Sequence, residues 1–383
     1  MAHIHISLIG GQSYPVYLGI ADLNPDGIIL IHSSQSREEA ERIQQEIDVP
    51  THLLEFDPVD IQSIYHQLEK NFTRLSSDDI YTVNITGGTK LWSIAFYEYF
   101  KRYSNAKLIY IDQNNCVCNL VTLEKYQSVV SFDTDSVLRL NGTKAESYLL
   151  YQDYTEADKN CINRIKKLRR HSYEKFNAFS IPNKKWENEL KQKKLGSWSL
   201  EDGSQIEWDK ETTTIKMLLI NNKSEKLNDM LTSPHIFNLF FHTGWFEYEV
   251  ASLLSTWQYA KEIRMNVKFP YNAERNPKNE IDLIVNTGNR LLFVECKTQI
   301  SDITDIDKFR TAVKNYGGMA CKALFVTDAP MKKTAAEKCE DSGILSFSIR
   351  DCNQSFFSIQ EMLHLKLEQE LFAIIKNRKR NKL

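Results

Sequence analysis

Short apolar segments alternate with amphipathic ones along the first 125 residues. A strand followed by a helix and a second strand almost always returns parallel to the first in one sheet. The order therefore predicts a doubly wound, Rossmann-like sheet, to which 116–124 adds a hairpin strand. Ser36 would cap the first predicted helix. The predicted strands are 3–9, 27–32, 52–56, 80–85 and 107–111, and the predicted helices are 36–47, 59–72 and 91–103.

Two regions of different character follow. Residues 143–232 combine a Lys- and Arg-rich helical segment with strand segments at 197–208 and 212–220, which predicts a basic helix-and-hairpin connector, with a winged-helix-like shape as an alternative. Residues 233–383 return to α/β alternation. We therefore predict an α/β protein of three parts, 1–142, 143–232 and 233–383. In the last part the predicted strands are 262–269, 281–286, 291–298, 322–327 and 344–348, and the predicted helices are 245–257, 305–316, 331–342 and 359–379.

The formal net charge of −2 conceals an uneven distribution. Residues 1–142 hold 10 basic and 18 acidic residues, whereas 159–194 hold 12 basic and 3 acidic ones, and five more basic residues lie in the last eight. A near-neutral total would argue against a nucleic-acid-binding protein, because such domains are usually basic. The distribution removes that objection. The basic run is either a solvated helix face or a local positive field for a polyanion.

Cysteines and targeting signals set further limits. Seven cysteines are scattered without a CxxC pair, so we predict neither a zinc site nor a disulfide framework. No signal-peptide pattern opens the sequence, and the longest uncharged window, 230–246, is too short and too polar to cross a bilayer. The expectation is a soluble, cytoplasmic protein with reduced thiols and no membrane partner.

Three charged residues interrupt strongly apolar strand segments near the C-terminus. Asp282 begins one such strand, and Glu295 and Lys297 lie in the next, two apart and therefore on one side. A tight hairpin between the strands would bring Asp282 beside Glu295. Hard divalent cations prefer oxygen ligands, so these carboxylates and the carbonyl of Cys296 would hold Mg²⁺ or Mn²⁺. Lys297 would orient the attacking water or stabilise charge on the phosphorus.

A further carboxylate is available on the preceding helix. Glu247 and Glu249 are about 200° apart on a helix, so only one of them can face the metal. An ion pair at a sheet edge is the alternative for the strand residues. Charges within apolar strands are costly to bury without partners, which favours a functional role.

This order of a helix carboxylate, an Asp and an ExK motif resembles the PD-(D/E)xK nuclease superfamily, with its restriction-endonuclease-like core. The resemblance implies that Glu247, Asp282, Glu295 and Lys297 are catalytic. It also implies metal binding by Glu247, Asp282, Glu295 and Cys296. The proline that usually precedes the Asp is replaced by Ile281.

The segment from Asn84 to Lys90, Asn-Ile-Thr-Gly-Gly-Thr-Lys, lies where a strand ends and a helix begins. Glycines let a backbone approach a ligand, and helix N-terminal N–H groups bind anions at the carboxyl ends of parallel strands. The spacing is neither a Walker A loop nor GxGxxG, and a plain turn with a helix cap is the alternative. With the polar ends of the neighbouring strands, the candidate ligand-binding residues are Gly11, Gln12, Ser13, Ser33, Ser34, Asn84, Thr86, Gly87, Gly88, Thr89, Lys90 and Gln113.

These strand ends resemble the CARF domain of CRISPR-associated proteins, over residues 1 to about 140. A CARF-like domain joined to a PD-(D/E)xK domain resembles the ancillary nucleases of type III CRISPR systems. The resemblance implies a homodimer that binds a cyclic oligoadenylate, most simply cyclic tetra-adenylate. Binding would activate metal-dependent cleavage of single-stranded DNA, RNA or plasmid DNA in antiviral defence, and the basic connector would transmit the signal.

Three alternatives stay open. The protein would be a CARF-like regulator that grips nucleic acid without cutting it, or a repair or restriction nuclease whose activity is independent of a ligand. In the third alternative, the sensor site also degrades its own activator, although 86–90 contains no obvious catalytic group for this reaction.

Overall fold

Three β-sheets organise the protein in a computed structural model, which describes residues 1–112, 115–181, 183–270, 280–288, 290–300, 303–318, 321–352 and 356–372. The strands are β1 (His3–Leu8), β2 (Gly27–His32), β3 (Thr51–Glu55), β4 (Ile80–Asn84), β5 (Ala106–Ile111), β6 (Cys116–Asn119), β7 (Lys125–Gln127), β8 (Ser147–Leu150), β9 (Leu195–Ser199), β10 (Gln205–Asp209), β11 (Thr214–Ile220), β12 (Lys226–Thr232), β13 (Glu262–Lys268), β14 (Glu280–Asn286), β15 (Leu291–Lys297), β16 (Lys322–Thr327) and β17 (Leu345–Ser348).

Helices cover both large sheets and form much of the connector. They are α1 (Ser13–Leu23), α2 (Arg37–Gln45), α3 (Ile61–Phe72), α4 (Lys90–Phe100), α5 (Thr134–Leu140), α6 (Glu156–His171), α7 (Tyr173–Ser180), α8 (Lys184–Gln192), α9 (Ile236–Phe240), α10 (Gly244–Ser255), α11 (Thr304–Gly317), α12 (Lys333–Asp341) and α13 (Phe356–Phe372). Four short 3₁₀ turns also occur, at Ser34–Ser36, Tyr151–Asp153, Phe241–Thr243 and Arg350–Cys352.

The N-terminal sheet has the strand order β3-β2-β1-β4-β5-β6-β7, in which β1 to β5 run parallel. This confirms the predicted doubly wound sheet. The predicted strand 116–124 ends early, because only β6 forms there, and β7 follows it to complete a hairpin. Helix α1 was not predicted. Ser36 makes no side-chain cap for α2, because Ser33 and Ser36 instead cap the 3₁₀ turn that precedes it.

The connector has more structure than the sequence predicts. Segment 197–208 is not one strand, because the turn around Gly203 (φ 84°) separates β9 from β10. With β11 and β12 these strands form a four-stranded antiparallel sheet. Trp186 and Trp208 are buried with their rings 5.3 Å apart, so they fill the core of this module.

The C-terminal sheet has the order β17-β16-β15-β14-β13-β8. Strands β15 to β17 run parallel and the others antiparallel. Strand β8 comes from the predicted connector, so the boundary at residue 142 does not coincide with the edge of this sheet. The predicted C-terminal helix is described as far as Phe372, and the basic residues after 375 lie outside the described part of the chain.

One hydrophobic core joins the two large sheets. It contains Tyr14 and Leu18 from α1 together with Phe293 from β15 and Phe309 from α11. Phe132 stands between them, because its ring lies 5.4 Å from Tyr14 and its main chain bonds the turn that joins β14 to β15. The N-terminal and C-terminal units are therefore packed directly against each other. Among the described helices, none is long and apolar enough to cross a membrane.

Candidate active site and ligand cleft

Strands β14 and β15 bring the three predicted charged residues together. They pair antiparallel with Leu283 opposite Val294, so the next position places Asp282 beside Glu295. Asp282 and Glu295 are 7% and 2% exposed. Asp282 Oδ2 accepts a 2.7 Å hydrogen bond from the backbone N–H of Cys296, and Lys297 Nζ lies 2.8 Å from Glu295 Oε1. The arrangement joins buried carboxylates to one ammonium group.

The start of helix α10 positions the third carboxylate. An added Cβ at Gly244 would lie 1.7 Å from the carbonyl oxygen of Asn238, so only glycine allows this close approach. Glu247 follows in the first turn and is buried. Glu249 instead forms an ion pair with Lys166 of α6. Glu247 is therefore the helix carboxylate that faces the site.

Asn266 is a site residue that the sequence reasoning missed. It lies in β13 with φ of 50°, where the pairing with β8 shifts register. Its side-chain N–H donates a 2.7 Å hydrogen bond to Glu247 Oε2. Left-handed backbone is uncommon for a residue with a side chain, although Asn tolerates it better than most. The sequence reads as an ordinary strand here, so only the tertiary structure reveals this contact.

The electrostatics of the site reflect crowded carboxylates. Burial, and then repulsion from Asp282, raise the pKa of Glu247 well above its ordinary value. Burial alone would lower the pKa of Lys297, but Asp282 and Glu295 outweigh it and raise that pKa. Burial and the same carboxylates raise the pKa of the Cys296 thiol. The site thus favours bound positive charge.

The donor set fits a hard divalent cation in its chemistry. Asp282, Glu295 and Glu247 supply carboxylate oxygens, and their mutual repulsion is what a cation would relieve. In the described part of the chain, however, no three His, Cys, Asp or Glu side chains converge as a metal-binding group. The ligand role of Glu247 therefore stays a prediction, as does that of the Cys296 carbonyl.

A second candidate site is a cleft of about 350 Å³ at the carboxyl ends of β1, β2 and β4. Four predicted ligand residues line it: Gly11, Ser33, Gly88 and Thr89. Thr89 also caps α4, since its hydroxyl accepts from Trp92 N and donates to Pro58 O. Lys90 follows as an exposed residue at the first position of α4.

The glycines at this edge bring strand ends together. An added Cβ at Gly87 would lie 2.1 Å from the carbonyl oxygen of Leu8, and one at Gly10 would lie 2.8 Å from the nitrogen of Gly88. Gly88 also has φ of 74°. These glycines therefore allow β1 to approach the turn before α4. From the sequence, we expected them to let the backbone approach a ligand.

Of the other predicted ligand residues, those within the described part of the chain do not line the cleft. Asn84 is fully buried, and its Oδ1 accepts hydrogen bonds from the backbone and the hydroxyl of Thr86. Thr86 Oγ1 also accepts from Ile111 N. Ser13 is buried at the start of α1, whereas Gln12 and Ser34 are exposed. Gly87 lies in the turn, and Gln113 lies outside the described residues.

Two family models match the chain. Residues 4–141 match the Card1 CARF domain, and residues 237–344 match the Card1-like endonuclease domain. This protein joins a CARF domain to a Card1-like endonuclease domain. The pair of domains predicted from the sequence is thereby confirmed. The candidate ligand cleft lies in the CARF domain, and the buried carboxylates lie in the endonuclease domain.

Solved structures share the arrangement of both domains. Can2 from Sulfobacillus thermosulfidooxidans in complex with cyclic tetra-adenylate (cA4) matches with a TM-score of 0.64 at 17% identity, over 96% of this chain and 99% of that one. Protein VC1899 from Vibrio cholerae matches with a TM-score of 0.70 at 16% identity, over 96% and 98%. At these identities the likeness establishes the fold.

A type III CRISPR defence DNA nuclease activated by cyclic oligoadenylate matches with a TM-score of 0.53 at 17% identity, over 91% of this chain and 50% of that one. Its chain is thus about twice as long as the matched region. No curated protein sequence matches this chain.

Proposed function

We propose that the protein is a metal-dependent endonuclease of type III CRISPR antiviral defence, activated by a cyclic oligoadenylate and most simply by cyclic tetra-adenylate. The observation that carries this proposal is the group of Asp282, Glu295 and Lys297 on adjoining buried strands of a domain that matches an endonuclease model. The preceding CARF domain supports the activator, since Can2 of the same fold binds cA4.

For the cleavage step, Asp282, Glu295, Glu247 and the carbonyl of Cys296 would hold Mn²⁺ or Mg²⁺. When bound, the metal supplies a Lewis acid and lowers the pKa of a bound water. Lys297 is held by Glu295 with its ammonium protonated, so it can stabilise negative charge that develops on the phosphoryl oxygens. Asn266 of β13 holds Glu247 in position through a hydrogen bond.

For the sensing step, the anionic ring would meet the α4 N-terminus, with donors from Ser33, Gly88, Thr89 and Lys90. We also propose that the protein is a cytoplasmic homodimer, in which one cleft from each protomer faces the ring. The CARF domain carries net negative charge, so ligand binding depends on these local donors and not on a general positive field.

Coupling between the two sites has a direct route that does not need the connector. Helix α1 begins beside Gly11 at the cleft, and its Tyr14 and Tyr17 rings lie 5.4 and 4.9 Å from Phe132. Phe132 N in turn donates to Gly288 O, and Asn286 Nδ2 donates to Phe132 O. A shift of α1 would therefore reach the turn between β14 and β15, the strands that carry the carboxylates.

The test is cleavage of labelled single-stranded DNA, RNA and plasmid by the full chain, with Mn²⁺ or Mg²⁺, and with or without cyclic tetra- or hexa-adenylate. We expect metal-dependent cleavage that the cyclic tetra-adenylate accelerates. Equal rates with and without it would favour the ligand-independent nuclease, and binding without cleavage would favour the regulator. Loss of intact ligand during the assay would show that the CARF domain degrades its activator.

A further inference from the structure

Helix α6 carries half of the basic residues of the segment 159–194, and its faces differ in their surroundings. Ile162, Ile165 and Leu168 are buried in the core of the endonuclease side. Arg164 on one flank pairs with Asp229 of β12. The opposite flank points to the helix and strand that carry the candidate catalytic residues.

On that second flank, Lys166 pairs with Glu249, two residues from Glu247. Arg169 lies 3.2 Å from Asp328, whose backbone N–H donates a 3.1 Å hydrogen bond to the carbonyl of Lys297. Helix α6 therefore contacts α10 on the side away from Glu247, and it approaches the candidate active site through Asp328, which bonds the main chain of Lys297.

The positive charge on this flank exceeds the negative charge that it meets. Asp328 is shared between Arg169 and Arg350, which lies 3.3 Å from it, so one carboxylate faces two guanidinium groups. Lys167 and Arg170 are exposed, and neither forms an ion pair among the described residues. A helix normally offsets such charges with acids one turn away, as Glu156 does for Lys159.

We infer that this edge of α6, the basic rim formed by Lys166, Lys167, Arg169 and Arg170, binds the phosphate backbone of the nucleic acid that is cleaved. The inference rests on the proposed nuclease function and adds where the substrate lies. Lys167 and Arg170 would contact the phosphates, because both are exposed and they lie about one turn apart on the helix. Contacts to phosphates carry little sequence information, so the rim provides affinity without base preference.

The test compares Lys167→Ala/Arg170→Ala with Lys193→Ala/Lys194→Ala, a control that removes two exposed cations elsewhere in the connector. Binding of labelled single-stranded DNA and RNA is measured by fluorescence anisotropy in EDTA, with cyclic tetra-adenylate present, at several salt concentrations. We expect about 10-fold weaker binding for the rim variant at 0.1 M salt, and a salt slope smaller by about 2, since each lost phosphate contact removes roughly 1.

In cleavage assays the rim variant should raise KM and leave kcat, thermal stability and cyclic tetra-adenylate affinity unchanged. The rim is refuted if its variant binds like the wild type or no worse than the control, and it is also refuted if the wild type binds neither nucleic acid. A wild type that binds through the rim but does not cleave with metal would overturn the proposed function and leave the rim supported.

Discussion

The two large sheets build their candidate sites from different materials. The N-terminal sheet presents main chain and small side chains at its edge, with glycines that let β1 approach the turn before α4. Its buried His5 is neutral, because burial lowers the pKa of this side chain to about 3. The C-terminal sheet instead buries ionisable groups, Asp282 and Glu295, between apolar neighbours.

This difference separates a binding site from a catalytic one. Main-chain N–H groups are satisfied by water or by a ligand at little electrostatic cost, which suits reversible capture of an anion. Crowded buried carboxylates are costly in the folded state and are tolerated where they hold a cation. In the C-terminal sheet, substitution of a carboxylate should therefore lower activity and raise stability. In the N-terminal sheet, a substitution should change either the ligand affinity or the stability, but not both.

The largest effect should come from Asp282→Ala or Lys297→Ala. We expect metal-dependent cleavage to fall by about 10³-fold or more, because each removes a group that acts at the reacting phosphate. Cyclic tetra-adenylate binding, measured by calorimetry, should stay unchanged. Asp305→Ala, which removes a half-buried carboxylate in the first turn of α11, serves as the control. Unaltered cleavage in Asp282→Ala would remove the catalytic assignment.

Asn266 tests whether the site depends on its supporting residues. Asn266→Ala should lower cleavage by about 10- to 100-fold and raise the Mn²⁺ concentration needed for half-maximal binding, since a residue that hydrogen-bonds and orients a metal ligand typically contributes this much. Asn266→Gly removes the same hydrogen bond but accepts the positive φ. Both variants should lose the same amount of activity, and the Gly variant should be the more stable of the two. Normal Mn²⁺ binding in both variants, measured by calorimetry, would show that Asn266 has only a structural role.

In the N-terminal sheet, affinity and stability should separate between two neighbouring residues. Lys90→Ala should weaken cyclic tetra-adenylate binding by about 10-fold, the effect of losing one charge-assisted contact, and leave the melting temperature unchanged. Thr86→Ala removes hydrogen bonds to Asn84 and Ile111, so it should cost about 1–2 kcal/mol in unfolding free energy. Equal effects of both variants on ligand affinity would contradict this division.

The smallest effect concerns the pH dependence of stability in EDTA. Below pH 4.5, the ordinary pKa, Glu247 is protonated in both the folded and the unfolded chain. As the pH rises, the unfolded chain ionises first, so the raised folded pKa makes the free energy of unfolding fall. Glu247→Gln should abolish this loss and be more stable than the wild type at pH 8. Parallel urea-denaturation profiles at pH 4 and 8 would contradict it.

Much of the fold was predictable because periodicity is local. Strand β16 was predicted with its observed bounds, and both α/β sheets follow from alternation. Helix α1 was missed because Ser13, Tyr14 and Pro15 follow two glycines and resemble a loop. Strand β8 was missed because its partner β13 lies far away in sequence. Strand β12 pairs with the neighbouring β11, and it was missed because its segment reads as part of a polar connector.

Local sequence patterns are enough to predict the two α/β domains and the candidate residues of the carboxylate site, because alternation and the ExK spacing depend only on neighbouring positions. Tertiary structure decided what each side chain contacts: that Glu247 and not Glu249 faces Asp282, that Asn266 holds Glu247, and that Asn84 and Thr86 bond each other. Those contacts join residues on separate elements or depend on one backbone angle. No local pattern encodes them, so they appear only when the elements are packed together.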